Sequence, residues 1–179
     1  MKQILIILTI GLVLAGMIIL TIQKALAVQQ QLPPTKKNIE LLELPDFKLS
    51  DAYATPFTLL DLETGRSVLV IHYSSSCDFC DKEAQILFHH YNEFENTQVL
   101  MVTKDSKEEI ENFAEKHQLN HFPNIRFLRY SNNYFKEAFG TNKIPSLFFF
   151  DTNFKLLKKI EEGITTRTLV KYTRAANDR

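Results

Sequence analysis

A mixed α/β fold, with one central sheet flanked by helices, is predicted by three observations along this 179-residue chain. Short apolar, β-branched runs alternate with amphipathic helical stripes; a capping box opens one of those helices; and a hairpin pattern followed by a final helix closes the chain. Basic and acidic residues balance at 21 each, which leaves no electrostatic footprint for nucleic acid, and none is expected as a partner. Setting aside an apolar N-terminal segment leaves roughly 140 residues, enough for one domain with a sizeable core.

Residues 1–3 precede an uncharged run, 4–22, in which Thr9 and Thr21 are the only polar side chains. As a helix it would measure about 28 Å, close to the thickness of a hydrocarbon core. It therefore reads as a transmembrane anchor, with Lys2 mildly favouring an N-inside orientation. Ala25-Leu26-Ala27 offers a competing reading, a signal peptide cleaved after residue 27, although the run is longer than an ordinary signal core. Either way the folded part lies outside the cytoplasm, as a single-pass cell-membrane protein with its domain on the periplasmic side or as a soluble periplasmic protein. Residues 23–43, polar and carrying Pro33-Pro34, read as a linker. The domain is expected over 44–175, with 176–179 as a tail.

Within it, 56–60 reads as a strand and Glu63-Thr64-Gly65 as a turn. Residues 68–73 form a buried strand by their β-branched content. From Cys80 a helical stripe runs through Ala84, Leu87, Phe88, Tyr91 and Phe94. Residues 98–102 return to strand. Ser106-x-x-Glu109 is a capping box, opening a helix with Ile110, Phe113, Ala114 and His117 on one face. Strands follow at 125–128 and 146–150; Asp151-Thr152-Asn153 turns into 154–160 as a hairpin, and 165–175 closes as a helix.

The chemistry sits at Cys77-Asp78-Phe79-Cys80, which holds the chain's only two cysteines. They follow a strand and open a helix. A helix N-terminus offers free N–H groups and the positive dipole end, which favour a thiolate at Cys77. Cys80, about one turn on, is placed to attack a mixed disulfide at Cys77, so the pair reads as a redox-active disulfide. A zinc site needs four ligands; no second cysteine pair exists, and some 36 residues separate Cys80 from His117 of the pair His117/His121. A purely structural disulfide would close too small a ring to constrain the unfolded chain much. Glu83 lies one turn beyond Cys80 and reads either as a proton acceptor for its thiol or as a solvated helix carboxylate. His72, in the preceding strand, reads as a thiolate-tuning group or as a hydrogen-bonded strand histidine. His89 and His90 are sequential on a helix and make a poor metal pair. No cofactor and no metal are expected.

At Ile144-Pro145-Ser146 the chain resembles the cis-proline element of the thioredoxin fold. Leu44-Pro45-Asp46-Phe47-x-Leu49 resembles the opening of redoxin-type domains, and Cys77-x-x-Cys80-x-x-Glu83 is similar to the CxxCxxE of membrane-tethered TlpA/ResA-like oxidoreductases. The 65 positions from Cys80 to Pro145 suit that subgroup's central insertion. The resemblance runs from about Leu44 to about Tyr172. It implies a thioredoxin-like fold with an N-terminal extension, and an enzyme that exchanges disulfides through Cys77, Cys80 and Glu83. It also implies a cis peptide at Pro145 that presents the Ile144 backbone to an extended substrate. The expected partners are a disulfide-bearing protein substrate, a membrane-embedded electron donor and the membrane itself. Two departures stand out. Ser76 replaces the tryptophan that usually precedes the first cysteine, and Ile71 stands where thioredoxins bury an acid, so the acceptor for the Cys80 proton lies elsewhere. Alternatives remain open: a Sco-like copper chaperone, whose pattern is CxxxC with a distant histidine, or a peroxiredoxin-like peroxidase, whose Pro-x-x-x-Thr-x-x-Cys run meets Val70 and Ser74 here.

Overall fold

The computed structural model describes residues 16–19, 23, 42–46 and 48–179. The chain divides into two units, Met1–Asn38 and Ile39–Arg179. In the first, residues 16–19 are helical. The rest of the expected anchor over 4–22 lies outside the described residues, and among those described no helix is long and apolar enough to cross a membrane.

The second unit holds β1 (Leu49–Ser50), β2 (Pro56–Phe57), β3 (Ser67–His72), α1 (Asp78–His89), β4 (Thr97–Thr103) and α2 (Lys107–Lys116). Then come β5 (Ile125–Arg129), α3 (Tyr134–Phe139), β6 (Ser146–Phe150), β7 (Leu156–Ile160) and α4 (Thr166–Asn177). The strands make one sheet in the order β2-β1-β5-β4-β3-β6-β7. β3, β4 and β5 run parallel, whereas β6 pairs antiparallel with both β3 and β7. The expected mixed α/β architecture is what the chain adopts.

The central strands are buried on both faces, which explains their unbroken apolar runs. Alternate residues serve different layers: Leu69 and Ile71 of β3 join Ala84 and Leu87 of α1, Phe113 of α2 and Leu169 of α4. Val68 and Val70 face the other way, toward Phe135 and Phe139 of α3, Phe148 and Phe150 of β6, and Leu44, Leu49 and Leu62 of the N-terminal extension. That extension is tied to the start of β7, Leu44 N–H donating to Phe154 O at 2.9 Å and Leu156 N–H to Leu42 O at 2.9 Å.

Three local expectations are corrected. The strand at 56–60 ends after Phe57, because Thr58 and Asp61 form a capping box that turns Leu59–Asp61 into a short 3-10 helix. Tyr91 and Phe94 lie beyond the end of α1, in and after a separate 3-10 turn at Tyr91–Glu93. α3 is an addition within the stretch between β5 and β6, anchored by Phe135 stacked on Phe139 at 4.4 Å. At the other end α4 continues past 175. Ala176 is buried, and Ser67 Oγ donates to Asn177 Oδ1 at 2.5 Å.

Candidate active site

Cys77 is the N-cap of α1: its backbone is extended, at φ −103° and ψ 114°, and its sulfur accepts the Cys80 N–H at 3.2 Å. The sulfur thus takes the role of a capping oxygen and receives one of the free donors at the helix end. Cys77 is half-buried and Cys80 fully buried, both as free thiols. Burial pushes the Cys80 thiol well up, a side-chain hydrogen bond with Cys77 adds to this, and so does the nearby Glu83 charge. The outer sulfur is therefore the accessible one, and the inner thiol holds its proton.

The loop that delivers Cys77 is held by Asp105, which follows β4 and accepts the Ser75 N–H at 2.6 Å. Nothing near Cys77 in the sequence signals this residue; the contact exists because β3 and β4 are parallel neighbours whose C-terminal ends meet.

Glu83 is 1% exposed, so the reading of it as a solvated helix carboxylate is set aside. Neither carboxylate oxygen has a hydrogen-bond partner among the described residues. Burial pushes its pKa up to about 8, against a weaker opposing pull from the Ile164 backbone. The hydroxyl of Tyr73, within electrostatic reach of Cys80, is likewise buried and unpartnered, and burial raises its pKa too. His72 is a buried, hydrogen-bonded strand histidine: Nδ1 lies 2.9 Å from Lys143 O and Nε2 2.7 Å from Tyr130 Oη.

The Ile144–Pro145 peptide is cis. Register brings this segment to the site, since Ser146 pairs with His72 at the end of β3, the strand that leads to Cys77. Pro145 is buried, whereas Ile144 is 43% exposed. Phe79, between the cysteines, is 57% exposed and lies on Gly163, where an added Cβ would sit 2.7 Å from its ring. An aromatic face beside the motif is therefore present despite the missing tryptophan. Glu161 ties this loop to the one before Pro145, pairing with Lys143 at 3.1 Å and Lys159 at 2.6 Å.

Asp81 turns away from the sulfurs, bonding His117 Nε2 at 2.7 Å and Lys116 Nζ at 2.8 Å. Among the described residues, no group of three or more His, Cys, Asp or Glu side chains is placed to hold a metal ion.

Residues 42–159 match the model of the AhpC/TSA family. The chain belongs to the AhpC/TSA family. Cys77, Cys80, Glu83, Ile144 and Pro145 all fall in the segment that carries the AhpC/TSA match, while the loop holding Gly163 and helix α4 follow it. No curated protein matches the chain.

Solved structures place the fold of this AhpC/TSA chain among thioredoxin-like proteins. A secreted Mycobacterium tuberculosis disulfide oxidoreductase, homologous to Escherichia coli DsbE, is 15% identical over 73% of this chain and 96% of its own, with a TM-score of 0.62. A thioredoxin-like protein from Neisseria meningitidis is 22% identical over 75% of this chain and 89% of its own, TM-score 0.63. A thiol:disulfide interchange protein of the thioredoxin family from Chlorobium tepidum is 14% identical over 76% and 96%, TM-score 0.60. The expected thioredoxin-like architecture is thus borne out.

Proposed function

We propose that the protein is a membrane-anchored, extracytoplasmic thiol–disulfide oxidoreductase of TlpA/ResA type, reducing disulfides in protein substrates. The observation that carries this is the asymmetry of the dithiol: an accessible sulfur at a helix N-cap, and a buried thiol one turn below it beside an unpaired carboxyl group. Cys77, as thiolate, attacks one sulfur of the substrate disulfide; that S–S bond breaks and the other sulfur leaves as a thiolate. Cys80 gives its proton to the Glu83 carboxylate and attacks the Cys77 sulfur, releasing the second substrate thiolate and leaving a Cys77–Cys80 disulfide. Two electrons pass from the enzyme to the substrate, and a membrane-embedded electron donor returns them. Ile144 and Pro145 line the approach and would receive an extended substrate segment. The secreted disulfide oxidoreductase among the structural neighbours supports both the activity and the compartment.

Alkylation of the reduced full-length chain with limiting iodoacetamide should label Cys77 first, and Cys80→Ala should accumulate mixed disulfides on Cys77. Preferential labelling of Cys80 would sink the assignment. An intact mass showing a mature chain that starts at Val28 would replace the anchor with a cleaved signal.

A further inference from the structure

His72 takes no part in the thiol chemistry above, yet it is 1% exposed and fully bonded. Its ring stacks on Phe135 of α3, with centroids 3.8 Å apart and planes at 15°. The partners fix its tautomer. A carbonyl oxygen can only accept, so Nδ1 carries the hydrogen and donates to Lys143 O at 2.9 Å. Burial holds the pKa of the ring down to about 4, so at neutral pH it carries a single proton. Nε2 is then bare and accepts the Tyr130 O–H at 2.7 Å.

The same Lys143 carbonyl receives a second donor, the Ser146 hydroxyl at 2.5 Å. Two donors therefore hold this oxygen toward the core. A trans peptide is planar, with its C=O and N–H on opposite sides, so fixing the Lys143 oxygen inward turns the Ile144 N–H outward. Among the described residues that N–H donates to no protein acceptor, and Ile144 itself is exposed. We infer that His72 is a positioning residue: through the Lys143 carbonyl it aims the Ile144 N–H at the backbone carbonyl of an extended, disulfide-bearing substrate segment. The inference rests on the oxidoreductase reading, and it narrows the substrate to chains that can offer an unpaired backbone carbonyl next to their cystine.

The test compares two disulfides on the full-length chain: a cystine-bridged peptide with extended flanks, and dithiobis(nitrobenzoate), an aromatic disulfide with no peptide backbone. His72→Phe keeps the stack but cannot donate. It should raise KM for the peptide about fivefold, the worth of roughly one hydrogen bond, with kcat and the rate on the aromatic disulfide unchanged. His72→Asn, whose amide nitrogen falls near the place of Nδ1, should restore most of the peptide KM. Equal losses on both substrates, or an unchanged peptide KM, would overturn the inference while leaving the oxidoreductase reading standing. A wild type that reduces neither substrate overturns both. Should His72→Phe not fold, nitrogen NMR of the labelled wild-type ring decides: the proton belongs on Nδ1, and finding it on Nε2 refutes the geometry.

Discussion

Asp81 and Glu83 are two carboxylates two residues apart on one helix, and the fold treats them in opposite ways. Asp81 lies toward α2, where Lys116 and His117 bond both of its oxygens. Burial works to raise its pKa, but the two partners outweigh it and the group stays below the usual carboxylate range. Glu83 points into the core with Cys80, Ala84 and Leu87, has no side-chain partner and only a weak pull from the Ile164 backbone, and rises to about 8. A rotation of about 200° around the helix separates a charge that is spent on local structure from one held back next to a thiol. What differs between them is the company each keeps, and that is also what makes only Glu83 suited to moving a proton near neutral pH.

The largest effect expected from breaking this contrast is at Glu83. A carboxyl whose folded pKa lies above its unfolded value leaves stability intact below about pH 4. Stability is then lost as pH rises, until the folded pKa near 8 is passed. At about 1.4 kcal/mol per unit, the full swing is of the order of 5 kcal/mol. Glu83→Gln keeps the shape and removes the titration. Denaturant unfolding should find it equal to wild type near pH 4 and more stable by a few kcal/mol near pH 9. The same variant should slow resolution of the Cys77 mixed disulfide by about 100-fold, and should lose the limb of the pH–rate profile that climbs through 8. Parallel stability curves, or an unaltered profile, would show that Glu83 does not carry a perturbed proton.

Much of this pair was legible in the sequence, though not its division of labour. The spacing Cys80, Glu83, Ala84, Leu87 is that of one helix face, so an acid already stood at a core position of the stripe. Spacing alone favoured solvent, and only the resemblance to CxxCxxE proteins brought the buried role level with it, because the covering loop around Ile164 comes from the far end of the domain. The strands were legible for a related reason: buried on both sides, they carry β-branched runs that few other structures tolerate. Helix α3 was not. It is six residues long, its N-cap Asn133 makes no side-chain bond, and only the Phe135–Phe139 pair at helical spacing hinted at it. Asp105 and the Lys143 carbonyl were equally silent, since both act through contacts between segments brought together by sheet register.

A smaller effect is expected at Asp81, and of opposite sign in pH. A depressed carboxyl contributes stability above its unfolded pKa near 4 and loses it as pH falls further. Asp81→Asn should cost about 1 kcal/mol at pH 7, for a partly exposed pair softened by solvent and salt, and progressively less as pH falls below about 4. The loss should shrink in high salt. A cost that persists unchanged at pH 2 would mean that packing around His117, not charge, holds this corner.

The smallest effect concerns the redox potential, where the two helix acids nearest the sulfurs part company. Asp78 and Asp81 both follow Cys77 closely, and an ionised acid there disfavours a thiolate, destabilises the reduced form and makes the couple more reducing. Asp81 is answered by Lys116 and His117, so its field at the sulfur is largely cancelled. Asp78 is exposed at the first turn of α1, where only solvent and the helix dipole oppose it. Asp78→Asn should therefore shift the potential positively, by less than about 30 mV, the equivalent of one pKa unit for a two-electron couple. Replacing the pair together, Asp81→Asn with Lys116→Gln, should leave it unmoved, because the two charges answer each other. Equilibration of both variants and wild type against a dithiothreitol series gives the comparison. Equal shifts would mean that the Lys116 and His117 contacts do not neutralise Asp81 at the sulfur. No shift in Asp78→Asn would mean that solvent screening alone silences an acid placed inside the motif.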